Sequence, residues 1–454
     1  MGSPSRAQRD VGAAAAGRVE SPTRRQGDLR AALDRAEERR AALLTDLDSR
    51  RATLPLRYWL QQAHYTVPAD DGAMVGKALR DGTAPMARLM ERFGVATSDL
   101  AARLGIDPDA VEALLATPRL APLVMLDGED AQAPGEEAAE NAIHNVVHNL
   151  TNRGPSRHAK AARPLRFFRP PGVSDPGGLR ILVRLLYALG EGSAPLQPVL
   201  PLDGIVVPKV RHPEEIELVD LTLADAEREL GLAAGSVRLA LLVESGWAVA
   251  QLPELARRAA PRLCALIYGP VDHAADVGLP AISPEHPVAL AARSWIVEVA
   301  GAIGVPAIDG MTLAYPVADP LLDRAANRER FLERVARVFD EARAARALGM
   351  LGKWVGHPAQ LFAALLAFDE AFAADRIARE AARLEAYRES AASGRGATVI
   401  EGEMSDRATD RHARAFLRQA LAAGRLEPAR ALELGVIAPD ELAEARALRG
   451  GGDS

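Results

Sequence analysis

Two carboxylates stand just past apolar segments that have the composition of β-strands. Glu244 follows LALLV, Asp272 lies four residues after LCALIY, and the two acids are 28 positions apart. A strand–helix–strand unit takes about 30 residues, so the pair would emerge at the same end of a parallel sheet or barrel. Two carboxylates that leave other coordination positions to water and substrate suit Mg²⁺. A salt-bridged or solvated pair is the alternative.

Strand-like and helix-like segments alternate through the middle of the chain. The strand-like segments are residues 57–67, 120–131, 164–172, 202–210, 239–246, 263–272, 305–310 and 353–358. Eight strands, each followed by a helix, predict an α/β fold of the (β/α)₈ TIM-barrel type. An open doubly wound sheet is the alternative, although no glycine-rich phosphate fingerprint follows an early strand.

The ends of these segments are more polar than packing requires. The residues concerned are Asp127, Glu129, Asp130, Arg169, Lys209, Glu244, Asp272, Asp309 and His357. Because the carboxyl ends of parallel barrel strands meet at one mouth, these side chains are expected to converge there. For any one of them a solvated charge is the simpler explanation, so the prediction rests on the series.

The segments that flank the barrel have different compositions. Residues 1–27 are read as a disordered tail, 28–54 as a helical arm and 55–360 as the barrel. Residues 361–454 form a helical C-terminal extension. Within the barrel, 83–119 is a helical insertion whose second half resembles a helix-turn-helix. Acidic rather than basic residues begin its second helix, so a packing role is favoured over DNA binding.

Composition excludes several classes of function. The formal charge of −6 is well mixed along the chain, which gives no broad positive field for nucleic acid. No apolar run is long enough for a membrane span. Cys264 is the single cysteine, so no intrachain disulfide can form, and a cytoplasmic location with a buried, structural thiol is expected.

A series of motifs resembles the citrate lyase β-subunit and malyl-CoA lyase family. In family order they are VPADDGAMVGKALRDG, LDGEDA, FFRPPG, VPKVRHPEEIELVD, LLVESGWAV, YGPVDHAADVG, PAIDG, GKWVGHPAQ and VIEGEMSD. The resemblance covers about residues 55 to 410. It implies a Mg²⁺-dependent TIM-barrel lyase, for which Mn²⁺ could substitute. Such an enzyme acts on a thioester, usually of coenzyme A, together with a keto acid, as a homo-oligomeric trimer or hexamer.

The resemblance also implies roles for individual residues. Glu244 and Asp272 match the metal ligands, and Arg169 matches the arginine that holds a carboxylate or the thioester enolate. Asp406 matches an aspartate that a neighbouring subunit lends as general acid or base.

Other positions have supporting roles in this assignment. Glu129 is assigned a catalytic role, Asp130, Asp127 and Asp309 support the metal and the arginine, and Lys209 and Lys353 are assigned to the thioester cofactor. Two histidines spaced for a metal, His144 and His148, lack the accompanying glutamate of a zinc motif.

Four positions depart from the family pattern. Pro171 replaces an asparagine, Val271 replaces an acid, and Gly128 and Gly356 stand where the family has larger residues. The two glycines are expected to enlarge or loosen the mouth, which leaves the acyl substrate open.

The function expected from these residues is cleavage or formation of a 3-hydroxyacyl thioester of malyl-CoA, citramalyl-CoA or citryl-CoA type. Thioester hydrolysis at the same site, as in a malate synthase or a hydroxyacyl-CoA thioesterase, is one alternative. A non-catalytic component that binds a carrier or partner is the other.

Overall fold

The computed structural model describes residues 22–49, 52, 54–131, 135–151, 163–191, 199–394, 396–400 and 402–449. It divides into two compact units, residues 1–50 and 51–454. In the first unit the described residues form one helix, α1 (Pro22–Ser49). Residues 1–21 of the predicted tail lie outside the described ranges, and the predicted domain boundaries stay a prediction.

Among the described residues of the second unit, eight parallel strands close into a barrel in sequence order. They are β1 (Ala63–Pro68), β2 (Leu123–Asp127), β3 (Leu165–Arg169), β4 (Gly204–Val207), β5 (Arg238–Val243), β6 (Leu263–Tyr268), β7 (Ala307–Asp309) and β8 (Gly352–Val355). The barrel closes where β1 pairs with β8, with Tyr65 opposite Val355. The predicted TIM-barrel fold is confirmed.

Helices surround the barrel and extend beyond it. After α1 they are α2 (Gly72–Asp81), α3 (Pro85–Phe93), α4 (Thr97–Leu104), α5 (Pro108–Ala116), α6 (Glu136–Thr151), α7 (Gly178–Glu191), α8 (Pro213–Glu229), α9 (Gly246–Ala250), α10 (Leu252–Ala259), α11 (Pro270–Asp276), α12 (Pro287–Ile303), α13 (Arg324–Leu348), α14 (Pro358–Asp369), α15 (Ala374–Ala392), α16 (Arg407–Ala422), α17 (Pro428–Glu433) and α18 (Leu442–Leu448). None of these described helices has the length and hydropathy needed to cross a membrane.

Alternation along each strand separates two cores. Met125, Phe167, Leu242 and other residues of the inner faces fill the barrel interior. The intervening residues, such as Phe168, pack outward against the helices. This alternation decides which polar residue at a strand end faces the mouth.

The predicted first strand begins later than its sequence pattern indicates. Leu56–Trp59 is a turn of 3₁₀ helix, and the strand starts at Ala63. The Gln61 side chain lies between them and donates to the carbonyl oxygens of Tyr58 and Cys264, at 2.5 and 2.9 Å. These bonds fix the turn beneath the barrel.

The predicted helical insertion forms α3, α4 and α5. Asp107 caps α5 by accepting from the Asp109 N–H at 3.0 Å, and Gly105 ends α4 in the left-handed conformation. The helices bury Leu100 and Val111 in the outer core, which agrees with a packing role.

The C-terminal helices enclose a separate small core. Phe416 and Leu417 of α16 pack with Leu384 of α15 and with Leu56. Since Leu56 precedes β1, this core lies at the amino end of the barrel. Between α15 and α16, β9 (Thr398–Ile400) and β10 (Glu403–Ser405) form an antiparallel hairpin.

Candidate active site

Three polar residues at the carboxyl ends of strands continue the inner face of the barrel. Asp127 lies two positions after Met125, Arg169 two after Phe167, and Glu244 two after Leu242. All three are buried. They form the floor of the mouth, as the sequence predicts for these positions.

Arg169 is held in one orientation by several carboxylates. Its Nε and Nη2 donate to Asp127 at 2.7 and 2.5 Å, and Nη1 lies 2.9 Å from a Glu129 oxygen. Asp130 is farther, at 3.5 Å, and its side chain is 49% exposed. Although burial opposes the charge, Asp127 and its neighbours raise the pKa of Arg169 above its ordinary value. The guanidinium is therefore permanently charged and fixed, with Asp130 as its weakest contact.

Asp127 organises the turn that follows β2. Its two carboxylate oxygens accept from the backbone N–H groups of Glu129 and Ala131, at 3.0 and 3.1 Å. The same carboxylate orients Arg169. Asp127 therefore stabilises the turn and does not cap the next helix, because α6 begins only at Glu136.

Lys209 connects two parts of the cluster. Its backbone N–H donates to Glu244 Oε1 at 2.6 Å, while its Nζ lies 2.5 Å from Glu129 and 3.1 Å from Asp130. Among the described non-glycine residues it alone has a positive φ, of 53°. A bulky residue adopts this conformation at a cost, so the contacts around it must maintain it.

Gly269, which directly follows β6, lets the chain that leads to Asp272 pass close to Glu244. A Cβ atom at Gly269 would lie 2.5 Å from Glu244 Cβ, so only glycine allows this approach. Asp272 follows in the first turn of α11. Burial above all, and also the Asp272 carboxylate, raise the pKa of Glu244 to about 8, against the lowering effect of the Lys209 N–H.

Glu129 is the second acid of this cluster with a raised pKa. Burial raises its pKa to about 7, although Arg169 and Lys209 act in the opposite direction. An acid with a pKa near neutrality can accept or donate a proton under physiological conditions.

The mouth cluster consists of seven ionisable residues that meet at the ends of β2 to β6. They are Asp127, Glu129, Asp130, Glu244, Asp272, Arg169 and Lys209. Five carboxylates and two cations leave an excess of three negative charges when all are ionised. Such an excess in a buried site fits a divalent cation, and carboxylate oxygens are the donors that Mg²⁺ prefers.

No group of three or more His, Cys, Asp or Glu side chains within the described residues has a geometry that holds a metal by itself. The assignment of Glu244 and Asp272 as metal ligands stays a prediction. The paired rings of His144 and His148 on α6 stack 6.1 Å apart, away from this cluster in sequence and element.

A cavity of about 540 Å³ adjoins the mouth cluster between α6 and α7. Glu129, Lys209 and Pro171 line one side of it, and Arg180 of α7 lines another. The volume is in the range that binds small organic ligands.

Asp309 and Lys353 lie elsewhere, on the outer face of the barrel. Ile308 points inward, so Asp309 at the next position points toward the helices. It accepts from Arg293 of α12 at 2.8 Å and from Lys353 Nζ at 3.0 Å. Lys353 also lies 3.3 Å from Glu341 of α13. These four residues form what we call the outer cluster, which has two acids and two cations, and the exposed Arg337 also pairs with Glu341 at 3.0 Å. The structure does not bring Asp309 and Lys353 to the mouth.

Asp406 also lies apart from the mouth cluster in its own chain. It caps α16, where Oδ1 accepts from the N–H groups of Ala408 and Thr409 at 2.8 and 3.1 Å. These bonds lower the pKa of Asp406 below its usual value. The later turns of α16 pack at the amino end of the barrel, so a role in a neighbouring subunit stays a prediction.

The two unusual glycines do not enlarge the mouth as expected. A Cβ at Gly128 would lie 2.5 Å from the ring of Phe168, and a Cβ at Gly356 would overlap the hydroxyl group of Tyr315. Tyr315 comes from the loop after β7, and its hydroxyl donates to Met311 Sδ at 3.3 Å. Neighbouring aromatic groups therefore fill the space that the glycines leave.

Two aromatic residues of the mouth are missing from the sequence-based prediction. Trp354 faces the barrel interior, and the Arg169 guanidinium lies 5.2 Å from its ring centroid. In KWVGH, Trp354 and Gly356 are two residues apart, and this spacing could have predicted that both lie on the inner face of the barrel. Tyr315 lies in a loop, where no periodicity could place it.

Two further residues have structural roles. His357 Nδ1 accepts from the Ala359 N–H at 3.2 Å and so caps α14, and burial lowers the pKa of His357 to about 4. Cys264 is buried in β6, as predicted, and burial raises its pKa.

Fold and mouth together define a (β/α)₈ barrel with an acidic, arginine-containing site at the carboxyl ends of its strands. Residues 178–450 match the sequence model of the family described as "Domain of unknown function (DUF6986)". An L-malyl-CoA/beta-methylmalyl-CoA lyase from Rhodobacter capsulatus is 30% identical over 265 residues, 55% of this chain and 74% of the relative.

Other comparisons extend these findings. The lyase of the same name from Haloarcula marismortui is 29% identical over 237 residues. That match covers 51% of this chain and 62% of the relative, so it spans under two thirds of that protein's length. A citrate lyase structure from Burkholderia xenovorans LB400 shares the fold, with a TM-score of 0.53 and 24% identity, over 72% of this chain and 92% of that chain. The chain belongs to the DUF6986 family and, as a divergent member, to the citrate lyase β-subunit and malyl-CoA lyase family of carbon–carbon lyases.

Proposed function

We propose that this chain is a Mg²⁺-dependent lyase that cleaves or forms a 3-hydroxyacyl thioester of coenzyme A. The observation that carries the proposal is the charge distribution of the mouth cluster, in which buried carboxylates outnumber cations around a fixed arginine. The names of the malyl-CoA lyase relatives support the class of substrate.

Glu244 and Asp272 would hold the cation, which supplies positive charge for the oxygen atoms of a keto acid. Arg169 would face the thioester carbonyl, where negative charge develops as the carbon–carbon bond breaks. Asp127 and Trp354 keep the guanidinium in place, so little reorganisation is needed. Asp130, exposed and 3.5 Å away, is the contact that a substrate oxygen would replace.

The reaction needs one proton to leave the 3-hydroxyl group and one to reach the enolate carbon. Glu129, with its pKa raised to about 7 by burial, suits the first of these transfers. Asp406 of a neighbouring subunit would provide the second. In its own chain its carboxylate is bonded to two N–H groups, so this role requires a drier setting that raises its pKa.

The cavity beside the cluster would take the thioester carrier. Arg180 and Lys209 would provide cationic groups for the phosphates of coenzyme A, although carboxylates, among them Glu129 and Asp130, also line this cavity. Mg²⁺, coenzyme A and a homo-oligomeric state are thus parts of one proposal.

The test is product analysis with purified protein, Mg²⁺ and a panel of malyl-CoA, citramalyl-CoA and citryl-CoA. We expect a keto acid and an acyl-CoA in equal amounts, and loss of Mg²⁺-stimulated turnover in Asp272→Ala. Asp109→Ala, which changes an exposed acid of α5, is the matched control. Full activity of Asp272→Ala would refute the metal assignment. Free coenzyme A without keto acid would favour hydrolysis instead.

A further inference from the structure

A cavity of about 730 Å³ lies at the amino end of the barrel, opposite the mouth. Residues just before β2 and β3 line it, together with the ends of α2, α16 and α18. Its location follows from topology, since Pro122 and Pro164 precede the first residues of two parallel strands. It is therefore separate from the mouth cluster and from the cavity beside it.

The lining of this basic cavity is rich in arginine. Arg57, Arg80, Arg119, Arg163 and Arg449 line it, against two acids, Asp81 and Glu444. The rest of the wall is largely apolar and includes prolines, alanines and leucines. Apolar walls with a few convergent charged groups and a volume of several hundred Å³ are typical of sites for small organic ligands.

The arginines near Asp203 exceed the acids available to pair with them. Arg163 donates two bonds of 3.1 Å to Asp203, and Arg57 lies 3.2 Å from the same carboxylate. Arg166 is adjacent, and its buried Nε has no hydrogen-bond partner among the described residues. Burial and the nearby Arg163 lower the pKa of Arg166, although Asp203 opposes this. Two guanidinium groups, those of Arg57 and Arg163, thus share the Asp203 carboxylate, and the Arg166 backbone N–H also donates to it at 2.9 Å.

Arg80 is the most available of the lining arginines. It is exposed at the end of α2, and its side chain makes no ion pair or hydrogen bond with any residue that the structure describes. Arg119, in contrast, is engaged by Asp369 at 2.5 Å and by Gln62 at 2.9 Å. Arg80 is therefore the fork that an incoming anion would meet first. Arg163 is the second, because its side chain is 41% exposed and it shares Asp203 with Arg57.

We propose that the basic cavity binds an organic anion that has an apolar body and a phosphate or carboxylate group. Guanidinium forks bind either group in a bidentate manner, and the apolar wall accommodates the body. Because Glu444 of α18 and Arg449, which follows that helix, line the cavity, a bound ligand contacts both the barrel and the C-terminal helices. Ligand binding at the amino end of the barrel would thus be coupled to the C-terminal helices, of which α16 is capped by Asp406.

The experiment titrates the full chain with phenyl phosphate and 3-phenylpropionate, which distinguish phosphate from carboxylate. Inorganic phosphate and 2-phenylethanol separate the contributions of charge and apolar body. Calorimetry and thermal shift should show saturable binding of at least one aryl anion, weakened on the order of tenfold in Arg80→Gln and in Arg163→Gln. Arg228→Gln, which changes an exposed arginine of α8, should bind normally.

Four results would overturn the proposal, three that concern binding and one that concerns the oligomeric state. One is binding that is unchanged in Arg80→Gln and Arg163→Gln, and a second is no saturable binding of either aryl anion. The third is loss of binding in Asp272→Ala, which would locate the anion at the mouth. If Arg163→Gln does not fold, Arg80→Gln decides alone, because Arg80 has no described ion pair to lose. Arginine variants that dissociate an oligomer without ligand would instead identify an interface between copies, and would also overturn it.

Discussion

The mouth cluster and the outer cluster are built from the same residue types at the same end of the barrel, yet their electrostatics differ. In the outer cluster, Asp309 and Glu341 are matched by Lys353 and Arg293, and the exposed Arg337 also pairs with Glu341, so no negative charge is left over. In the mouth cluster, carboxylates exceed cations by three. A balanced buried cluster needs nothing further, whereas an unbalanced one needs a cation or protons. Charge balance therefore identifies the site better than polarity at strand ends does.

Removing a charge from the outer cluster should have the largest effect on stability. Lys353→Met removes the cation that Asp309 and Glu341 share. Arg293 and Arg337 still contact one acid each, so we expect a loss of about 3 kcal/mol in the free energy of unfolding, at the low end for a broken buried ion pair. Urea denaturation measures this value. Lys77→Met, on the exposed face of α2, is the control and should change it by less than about 0.5 kcal/mol. A small effect at Lys353 would mean that the outer cluster is not a structural ion network.

Removing a negative charge from the mouth cluster should stabilise the metal-free protein, which is the opposite of the effect expected in the outer cluster. Since the pKa of Glu244 is raised to about 8 from an ordinary 4.5, the folded chain holds a proton that the unfolded chain releases. Stability should therefore fall as pH rises from 4.5 to 8, and the full cost is present above pH 8.

The measurement for this prediction is the melting temperature of Glu244→Gln relative to the unaltered protein, both in chelator, at pH 5 and pH 9. We expect the variant to gain several degrees at pH 9 and much less at pH 5. Mg²⁺ affinity of the unaltered protein should rise with pH through 8, because the metal displaces the proton. An equal difference at both pH values would show that Glu244 does not hold a proton in the fold.

Sequence alone was enough to predict the barrel, because apolar runs alternate with helices that have clear caps. The grouping of Asp127, Glu129 and Arg169 followed from the same alternation. The sequence does not predict which way the Asp309 side chain points. Strand β7 is only three residues long and is buried on both faces, so VPAIDG has no alternation of apolar and polar residues. Two other features depend on tertiary contacts: the positive φ of Lys209 and the position of Tyr315 above Gly356.

Substitution of Gly356 tests how tightly Tyr315 packs at the mouth of the barrel. Gly356→Ala should destabilise the chain by about 1–3 kcal/mol, because the new methyl group overlaps the Tyr315 hydroxyl group. Tyr315→Ala in the same chain should remove most of that extra cost, which a double-mutant cycle measures as coupling. Purely additive effects would mean that the loop after β7 moves aside, and that the mouth is wider than this packing implies.

The smallest expected effect concerns Lys209, which belongs to the mouth cluster alone. Lys209→Ala and Lys209→Gly both lose the Nζ contacts to Glu129 and Asp130, and both keep the backbone N–H that bonds Glu244. They differ in the cost of a φ of 53°, which glycine adopts freely. We therefore expect the glycine variant to be more stable than the alanine variant by about 1 kcal/mol. At an ordinary helical position such as Lys77 the order should reverse, because glycine is the weaker helix former. If the alanine variant were the more stable one at position 209 as well, residue 209 would relax to a negative φ. The bond from its N–H to Glu244 would then not hold the candidate metal ligand in place.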